Sequence, residues 1–476
     1  MATETPRTGT AHRDRPPGQT PRGAVAPVVD PRTGKQIGEV PLLPAADVRR
    51  IARTAADALP GWAGTPMEHR AAKVRDLARA LERRLPDLAR RFSQEHGKTP
   101  AEATVELERS VETLRWSADA VLDATRPTPL PERAGLTREL WADPAGPVLA
   151  IVPWNFPAVV LARKLGPALA MGCSVVVKGP EEVPCVPAAV VDAAAEAGLP
   201  EGVVQMVHAA PAEAEGLVRC MEFRRVTFTG STRVGRMVAA AAAERLTPCV
   251  LELGGHAPVI VTADADLDGA ADALCAAKFG SGGQSCGAPS RFLVHERVVE
   301  AFVRKLAERA PAPDDEPGGT MGPLNNARRR DEVHALVEDA VHRGGRVVIG
   351  GRMPRSPGFH YPATVIVDVP PDARILHEEP FGPVAPVVRY GDDAEAVALA
   401  NSTAYGLSAY VYGETAHARD LARRLDAGNV GINCSPGAAP DAPLGGRGAS
   451  GYGYEGGVQG LLAFGALKVV QCGQPL

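Results

Sequence analysis

The chain has 476 residues, of which 45% are hydrophobic and 23% are charged, and its formal net charge at pH 7 is −4. This length and composition are typical of a globular protein with two or three domains and a large buried core. A charge so close to balance gives no electrostatic reason to expect nucleic acid or an anionic membrane surface as a partner.

The N-terminal segment and the cysteines bear on location. Residues 1–22 are rich in Thr, Pro, Arg and Gly and lack an apolar run, so they predict a disordered tail and not a signal peptide. A transit peptide is the alternative, which Glu4 and Asp14 disfavour. The most apolar window, 145–162, is interrupted by prolines and is too short to span a bilayer.

The 8 cysteines form no CxxC pair, and most lie in apolar runs. This predicts reduced core thiols, no metal site and a cytoplasmic location.

Helical periodicity dominates residues 46–123, where apolar side chains recur at three- and four-residue spacing. The proline-containing segment 124–141 predicts an arm that leaves the first domain. From residue 148, short apolar strands alternate with helices, and a second alternating series runs from about 254 to 445. Such alternation predicts two α/β domains, each with a parallel sheet covered on both faces, and a cleft between them. The C-terminal string "GLLAFGALKVVQC" predicts a strand that pairs with the arm.

Two motifs predict contacts to a nucleotide. The string "VTFTGSTRVG" runs from a predicted strand into a helix and places Gly230 and Ser231 at the turn. The free N–H groups of a helix N-terminus after a glycine form an anion site. Lys178 and Glu181 follow another predicted strand, at the sheet edge where α/β proteins bind ligands, and could hydrogen-bond a ribose diol. The alternatives are an ordinary capped helix and a surface ion pair.

Three further segments place polar or reactive side chains in unusual settings. In "PWNFP" the flanking prolines fix the backbone around Asn155, so its amide suits an oxyanion, although a buried turn is the alternative. In "LELGG" the carboxylate of Glu252 lies in an apolar run, which is costly unless the group is used or paired. In "GGQSCGAP" small residues surround Cys286 and leave its sulfur approachable.

Together these groups are those needed to oxidise a carbonyl through a covalent thioester. A thiolate attacks the aldehyde, and a preorganised donor stabilises the charge that develops on oxygen. Hydride leaves to a nicotinamide, and a general base activates the water that cleaves the acyl-enzyme.

The sequence resembles the aldehyde dehydrogenase superfamily from about residue 25 to the C-terminus. The similar segments occur in the family's order and are "VVDPRTGKQIGEV", "PWNFP", "KGPE", "FTGST", "LELGG", "GQSC", "EEPFGPV", "NSTAYGLSA", "GNVGIN" and "PLGG…SGYG…EGG". The resemblance implies an α/β fold with two Rossmann-like parallel-sheet domains and a small β oligomerisation arm, in a homodimer or homotetramer. It implies that the NAD-binding domain comprises 23–123 and 142–253, the catalytic domain 254–445, and the arm 124–141 and 446–476.

The resemblance also implies roles for individual residues. Cys286 matches the nucleophile, Glu252 the general base, and Asn155 the oxyanion donor, with the Cys286 N–H as the second donor. The residues implied on the cofactor side are Val152, Pro153, Trp154, Lys178, Glu181, Gly230, Ser231, Gly235, Glu379 and Phe381. A carboxylate at Glu181 accepts from the ribose 2′- and 3′-hydroxyls and repels a 2′-phosphate, which predicts NAD in preference to NADP.

The segment "FPAVVLARKLGPALAMGC" resembles the succinate-semialdehyde dehydrogenase branch most closely. In that branch an arginine at the position of Arg163 binds the distal carboxylate of the substrate, for which a guanidinium is suited. The branch carries a second arginine where this chain has Gly280, so half of the clamp is missing. Two interpretations stay open. Either Arg163 binds a distal anionic group and Gly280 makes room for a bulkier aldehyde, or Arg163 pairs with an acid and the aldehyde is neutral.

Two other functions are weighed against this resemblance. Members of the family that transfer the acyl group to coenzyme A generally lack the deacylating glutamate, which is present here as Glu252. A catalytically retired member that serves as a binding or structural protein is disfavoured because Cys286, Asn155 and Glu252 are all intact. The expected partner is therefore a small-molecule aldehyde.

Overall fold

In the computed structural model the described residues are 20–133, 135–316, 318–437 and 439–473. In chain order, the first part of the protein contains β1 (Val25–Asp30), β2 (Lys35–Pro41), α1 (Val48–Ala63), α2 (Met67–Glu82), α3 (Leu85–His96), α4 (Pro100–Ala124), β3 (Thr128–Arg133), β4 (Leu136–Pro144), β5 (Val148–Ile151), α5 (Pro157–Met171), β6 (Val175–Lys178), α6 (Cys185–Glu196), β7 (Val204–Val207), α7 (Pro211–Val218), β8 (Arg225–Thr229), α8 (Thr232–Ala243) and β9 (Cys249–Glu252).

The second part continues with β10 (Ala257–Val261), α9 (Leu267–Phe279), β11 (Pro289–His295), α10 (Val299–Arg309), α11 (Ala327–His342), β12 (Arg346–Ile349), β13 (Thr364–Val367), β14 (Val384–Tyr390), α12 (Asp393–Ala400), β15 (Ser408–Tyr412), α13 (Thr415–Arg423), β16 (Asn429–Ile432), β17 (Gly451–Tyr452), α14 (Gly457–Leu462) and β18 (Gly465–Cys472). The predicted alternation of strands and helices is confirmed in both parts.

The first sheet has the strand order β17-β9-β8-β5-β6-β7 and is parallel from β9 to β7. Its strands are continuous apolar runs because helices cover both faces. Along β5, Val148 and Ala150 pack into the core formed with α2, α4, α5 and α6, whereas Leu149 and Ile151 pack into the opposite core with α1, α7 and α8. The strand ends that carry the sequence motifs therefore meet at one edge of this sheet.

The second sheet has the order β12-β13-β14-β11-β10-β15-β16 and is parallel except at β12. Helices α9 and α10 cover one face, and α12 and α13 cover the other. The fold is thus the predicted pair of parallel-sheet α/β domains.

A separate antiparallel sheet has the order β18-β4-β3. The C-terminal strand pairs with β4 from Gly465↔Pro144 to Cys472↔Thr137, so the predicted pairing of the C-terminus with the arm is confirmed. The segment assigned to the arm from residue 446 divides between two places. Strand β17 pairs with β9 in the first sheet, and α14 packs against α4 and α5, so β18 is the part that lies in the arm sheet.

The predicted tail, residues 1–22, lies outside the described residues as far as residue 19. Thr20 is buried, and its N–H and hydroxyl both donate to the carboxylate of Glu213 on α7. The end of the predicted tail therefore lies against the first domain. Among the described residues, no helix is long and apolar enough to cross a membrane, and no cluster of three or more His, Cys, Asp or Glu could hold a metal ion.

The cysteines only partly match the prediction of core thiols. All eight are free, and Cys173, Cys185, Cys220 and Cys275 are buried. Cys472 is exposed because it ends a strand of the arm sheet, so the prediction of a core thiol is wrong at this position. A similarly exposed thiol, Cys434, follows β16 in a loop.

Candidate active site

A cleft of about 180 Å³ lies at the carboxyl edge of the first sheet. Strand order explains why the motifs meet there, since β9, β8 and β5 are neighbours and each ends at this edge. The second domain closes the cleft with the loop that carries Cys286 and with the turn that follows a short 3-10 helix, Arg374–Leu376. The lining residues are Pro153, Trp154, Asn155, Thr229, Gly230, Ser231, Leu253, Gly254, Cys286, Asn326, Arg328, Arg329, Glu332, Glu379 and Phe381.

Cys286 is half-buried in the loop between α9 and β11. The chain reverses there through three left-handed residues, Ser281, Gly282 and Gly283, with φ of 54°, 62° and 70°. A Cβ on Gly283 would lie 2.3 Å from the carbonyl oxygen of Gly382, so this close approach requires glycine. The small residues around the nucleophile thus allow a tight backbone path as well as access to the sulfur.

The surroundings of Cys286 favour the protonated form of its thiol. Burial, followed by the negative charges of Glu379 and Glu252, raises its pKa to about 12, and the backbone N–H groups of Cys286 and Gly287 only partly oppose this. Formation of the thiolate therefore needs a change in the electrostatics of the cleft or a nearby base.

Asn155 occupies the position expected of a preorganised donor. It lies in the turn between β5 and α5 and is 8% exposed. Its side-chain Nδ2 donates to the carbonyl of Gln284 at 3.1 Å, which ties the amide to the nucleophile loop. The amide has a second N–H, which can donate to an oxyanion on a substrate bound to Cys286.

Glu252 ends β9 and is 4% exposed. Within the described part of the chain, neither of its carboxylate oxygens has a hydrogen-bond partner. Burial, and then the negative charge of Glu455, raise its pKa well above the ordinary value, whereas Lys164 and Arg163 lower it. A buried carboxyl with a raised pKa is suited to accept a proton near neutral pH.

Glu252 faces a buried ion pair that the sequence analysis missed. Lys164 on α5 contacts the carboxylate of Glu455, and its ammonium also donates to the hydroxyls of Thr227 at 2.9 Å and Thr229 at 2.8 Å. Lys164 and Glu455 are fully and almost fully buried. The signal in the sequence was a lysine inside an apolar helical run, which needs a partner when buried.

Arg163 lies on α5 and is 4% exposed. Burial lowers its pKa, and the negative charges of Glu455, Glu252 and Cys286 oppose that effect, whereas Arg109 on α4 adds to it. The guanidinium is therefore within electrostatic range of Cys286 and Glu252. A Cβ on Gly280 would have no heavy atom of the described residues within 4 Å, so open space surrounds the position of the missing arginine.

The residues predicted on the adenosine side form a connected pair at the end of β6. Lys178 Nζ lies 2.8 Å from a carboxylate oxygen of Glu181, and Glu181 also accepts from the N–H of Ala209 at 3.1 Å. Val152, at the end of the neighbouring strand, is buried and donates its N–H to the carbonyl of Lys178 at 3.0 Å. Neither residue lines the cleft; the pair lies at the end of β6, beside the strand β5 that leads to the cleft-lining Pro153.

At the turn after β8, Gly230 donates its N–H to the carbonyl of Glu252 at 3.0 Å, and the hydroxyl of Ser231 accepts from Val234 N at 3.4 Å as the N-cap of α8. Gly235 does not line the cleft; a Cβ there would lie 2.3 Å from Leu253, so this glycine permits close packing of helix and sheet.

On the opposite side of the cleft, Glu379 accepts the N–H of Gly255 at 3.0 Å. Burial raises the pKa of Glu379 to about 7, against the influence of that N–H and of Arg329 and Lys278. Phe381 packs edge-on against Trp154 with ring centroids 5.7 Å apart. Arg329, near the start of α11, also lines the cleft; it was not identified from the sequence because it lies in the charged string "ARRRDE", residues 327–332.

Residues 19–470 match the family model described as "Aldehyde dehydrogenase family". The chain belongs to this family. Its relatives include glutarate-semialdehyde dehydrogenase of Pseudomonas aeruginosa, 38% identical over 92% of each chain, and 4-(hydroxymethyl)benzenesulfonate dehydrogenase TsaD1 of Comamonas testosteroni, 39% identical over 92% of each. Succinate-semialdehyde dehydrogenase [NADP(+)] GabD of Escherichia coli is 36% identical over 92% of each. The solved succinate-semialdehyde dehydrogenase of Burkholderia pseudomallei superposes with a TM-score of 0.91 over 94% of each chain at 37% identity.

These relatives confirm the predicted resemblance to the semialdehyde branch of the aldehyde dehydrogenases. Two buried ion pairs were not predicted from the sequence. The pairs Lys164–Glu455 and Lys98–Glu106 are almost completely buried, and each joins a helix residue to a residue of a loop.

Proposed function

We propose that this aldehyde dehydrogenase oxidises an aldehyde to a carboxylic acid through a thioester on Cys286, with a nicotinamide dinucleotide as the oxidant. The observation that carries the proposal is that Cys286 and Asn155 line one cleft and that Glu252, from a third segment, is buried within electrostatic range of Cys286. A retired binding protein would have no need to keep a thiol, an oxyanion donor and an unpaired buried carboxyl together.

Several features of the structure support the binding of a dinucleotide at this cleft. The N-terminus of α8, which follows Gly230, suits a pyrophosphate, and the carboxylate of Glu181 suits a ribose diol. Glu379 and Phe381 line the same cleft as Cys286, and Glu379 is within electrostatic range of it, so they would hold the nicotinamide end. When bound, the nicotinamide supplies the hydride acceptor.

The chain's own residues account for the remaining chemistry. Once the thiol proton has passed to a base or to water, the sulfur of Cys286 forms a bond to the aldehyde carbon, and the C=O π bond opens so that its oxygen becomes an oxyanion. That oxyanion accepts from the Asn155 amide and from the backbone N–H of Cys286. After oxidation to the thioester, Glu252 takes a proton from water, whose oxygen attacks the acyl carbon. The carboxylic acid leaves and Cys286 is regenerated.

We propose that the substrate bears an anionic group distant from the aldehyde. The support is a buried guanidinium, Arg163, within electrostatic range of Cys286. Gly280, which the first interpretation also invoked, is exposed and does not line the cleft. Two relatives are a glutarate-semialdehyde dehydrogenase and a 4-(hydroxymethyl)benzenesulfonate dehydrogenase, and both are named after anionic compounds. The charges of Glu252 and Glu455 near Arg163 favour the second candidate, a neutral aliphatic or aromatic aldehyde.

We propose NAD as the preferred cofactor, because the Glu181 carboxylate would repel a 2′-phosphate. The relative GabD is named as NADP(+)-dependent, so the two cofactors must be compared directly.

We also propose a cytoplasmic homodimer or homotetramer assembled through the arm. The outer strand β18 of the arm sheet exposes Leu467 at 67% and Val469 at 49%, an apolar edge suited to a second copy.

One experiment tests the function as a whole. Purified protein is mixed with NAD or NADP and a panel of ω-carboxylated, arylsulfonate, aliphatic and aromatic aldehydes, with and without coenzyme A, and reduced cofactor is measured by absorbance. We expect coenzyme A-independent turnover, a higher kcat/KM with NAD, and preference for anionic aldehydes. No turnover with any aldehyde would contradict the function; dependence on coenzyme A would contradict hydrolysis by Glu252.

A further inference from the structure

Two buried donors hold the backbone carbonyl of Asn155. Lys98 Nζ donates to this oxygen at 2.8 Å, and His96 Nε2 lies 3.0 Å from it. Because a carbonyl only accepts, His96 carries its proton on Nε2. Both side chains are almost completely shielded from solvent. The peptide group between Asn155 and Phe156 is therefore fixed by two hydrogen bonds that are shielded from solvent.

The Lys98 ammonium is neutralised by Glu106 on α4, and their side chains are only 1% and 3% exposed. The same carboxylate accepts from the N–H groups of Ala158 at 2.9 Å and Val159 at 3.4 Å, in the first turn of α5. Lys98 Nζ also lies 3.7 Å from the centroid of the Phe156 ring. The ion pair thus contacts "PWNFP" and the helix that follows it from several directions.

A buried ion pair is a poor source of stability, because desolvation offsets much of the attraction between the charges. Burial lowers the pKa of Lys98 and raises that of Glu106, and each charge opposes the shift of the other. The retained charges are better explained by what they hold. The Asn155 amide donates to the carbonyl of Gln284, two residues before Cys286, so the pair, the amide and the nucleophile loop form one connected unit.

We infer that Lys98, Glu106 and His96 are positioning residues that hold the Asn155 amide where the oxyanion forms. This inference rests on the proposed function of Asn155 and deepens it. None of the three needs to touch substrate, since they act on the backbone of Asn155 and on the start of α5. Displacement of a catalytic group by about 1 Å can cost on the order of 100-fold in rate.

The test is a mutant cycle on acylation of Cys286 by p-nitrophenyl acetate, which needs no cofactor and releases p-nitrophenolate. The variant Lys98→Met/Glu106→Gln removes both charges and keeps an acceptor for the Ala158 N–H. We expect it to acylate about 10- to 100-fold more slowly than the native protein. Combined with Asn155→Ala it should cause no further loss beyond that of Asn155→Ala alone, because it acts through the same amide.

The matched control removes another ion pair of α4, the exposed pair Arg75–Asp119, whose atoms lie 2.6 Å apart. The variant Arg75→Met/Asp119→Asn should acylate at the native rate. If the buried-pair variant fails to fold, His96→Phe removes the other donor to the Asn155 carbonyl without changing charge, and it should show the same loss and the same lack of additivity.

A native acylation rate in the folded variants would overturn the inference, as would a loss that multiplies with that of Asn155→Ala. Failure of the proposed function is distinguishable, since it would appear as absence of aldehyde oxidation or of ester acylation in the native protein itself.

Discussion

Gly255 and Cys286 approach so closely that a Cβ on Gly255 would lie 2.1 Å from the carbonyl oxygen of Cys286. The turn between β9 and β10 therefore packs against the backbone of the nucleophile loop with no space for a side chain. The N–H of Gly255 also donates to Glu379, so this one residue contacts both segments with which the second domain closes the cleft.

We expect Gly255→Ala to lower kcat by about 100-fold, because the methyl group must displace the nucleophile from its donors. The measurement is steady-state turnover with the best aldehyde of the panel, with circular dichroism to verify folding. The control is Gly61→Ala in α1, where an added Cβ meets no heavy atom of the described residues within 4 Å. Native kcat in Gly255→Ala would show that the loop tolerates displacement.

Glu252→Gln should separate oxidation from hydrolysis. Glutamine has nearly the same shape but cannot accept a proton from water, so we expect turnover to fall by about 100- to 10,000-fold. A burst of reduced cofactor should precede the slow phase, and intact-protein mass spectrometry should detect the acyl group on the protein. The exposed Glu308→Gln is the control. Equal loss of burst and turnover, with no acyl adduct, would count against a role in deacylation.

Glu455→Gln should change the pH dependence of hydrolysis. The charge of Glu455 raises the pKa of Glu252, whereas Lys164 and Arg163 lower it. Glu252 acts as a base only when it is deprotonated. Removal of the Glu455 charge therefore lowers the pKa of Glu252 and should move the acid limb of kcat to lower pH. The pH profiles of native protein and variant are compared under conditions in which deacylation limits the rate; an unmoved or upward-shifted limb would contradict this coupling.

Arg163→Leu should distinguish the two substrate interpretations. If the guanidinium binds a distal anion, KM for ω-carboxylated or arylsulfonate aldehydes should rise at least tenfold, as expected when a charged hydrogen bond is lost, with little change for neutral aldehydes. Equal effects on both classes would favour a structural pairing of Arg163 with Glu252 and Glu455. Kinetics on matched charged and neutral aldehydes measure this.

The companion variant Gly280→Arg introduces a second cation where open space surrounds the backbone. The backbone angles of Gly280, φ of −54° and ψ of 136°, are accessible to any residue. We expect it to favour short semialdehydes over long or aromatic anionic aldehydes.

Much of the site could be predicted from short stretches of sequence. Asn155 between prolines, Glu252 in an apolar strand and Cys286 among small residues are each recognisable within a few positions, because turn geometry and burial are encoded locally. The alternation of apolar strands and helices likewise predicts two parallel sheets. The division of residues 446–476 was less accessible, since the antiparallel pairing of β17 with β9 depends on a two-residue strand with no periodic signal.

The sequence by itself determined the reactive groups, their order and the two α/β domains. Only the tertiary structure decided which charges surround those groups. Lys164 meets Glu455 across 291 positions of the chain, and Lys98 meets the carbonyl of Asn155 across 57. These contacts depend on the order of strands in the sheet and on the packing of α4 against α5, because electrostatic interactions act through space and strengthen where water is excluded.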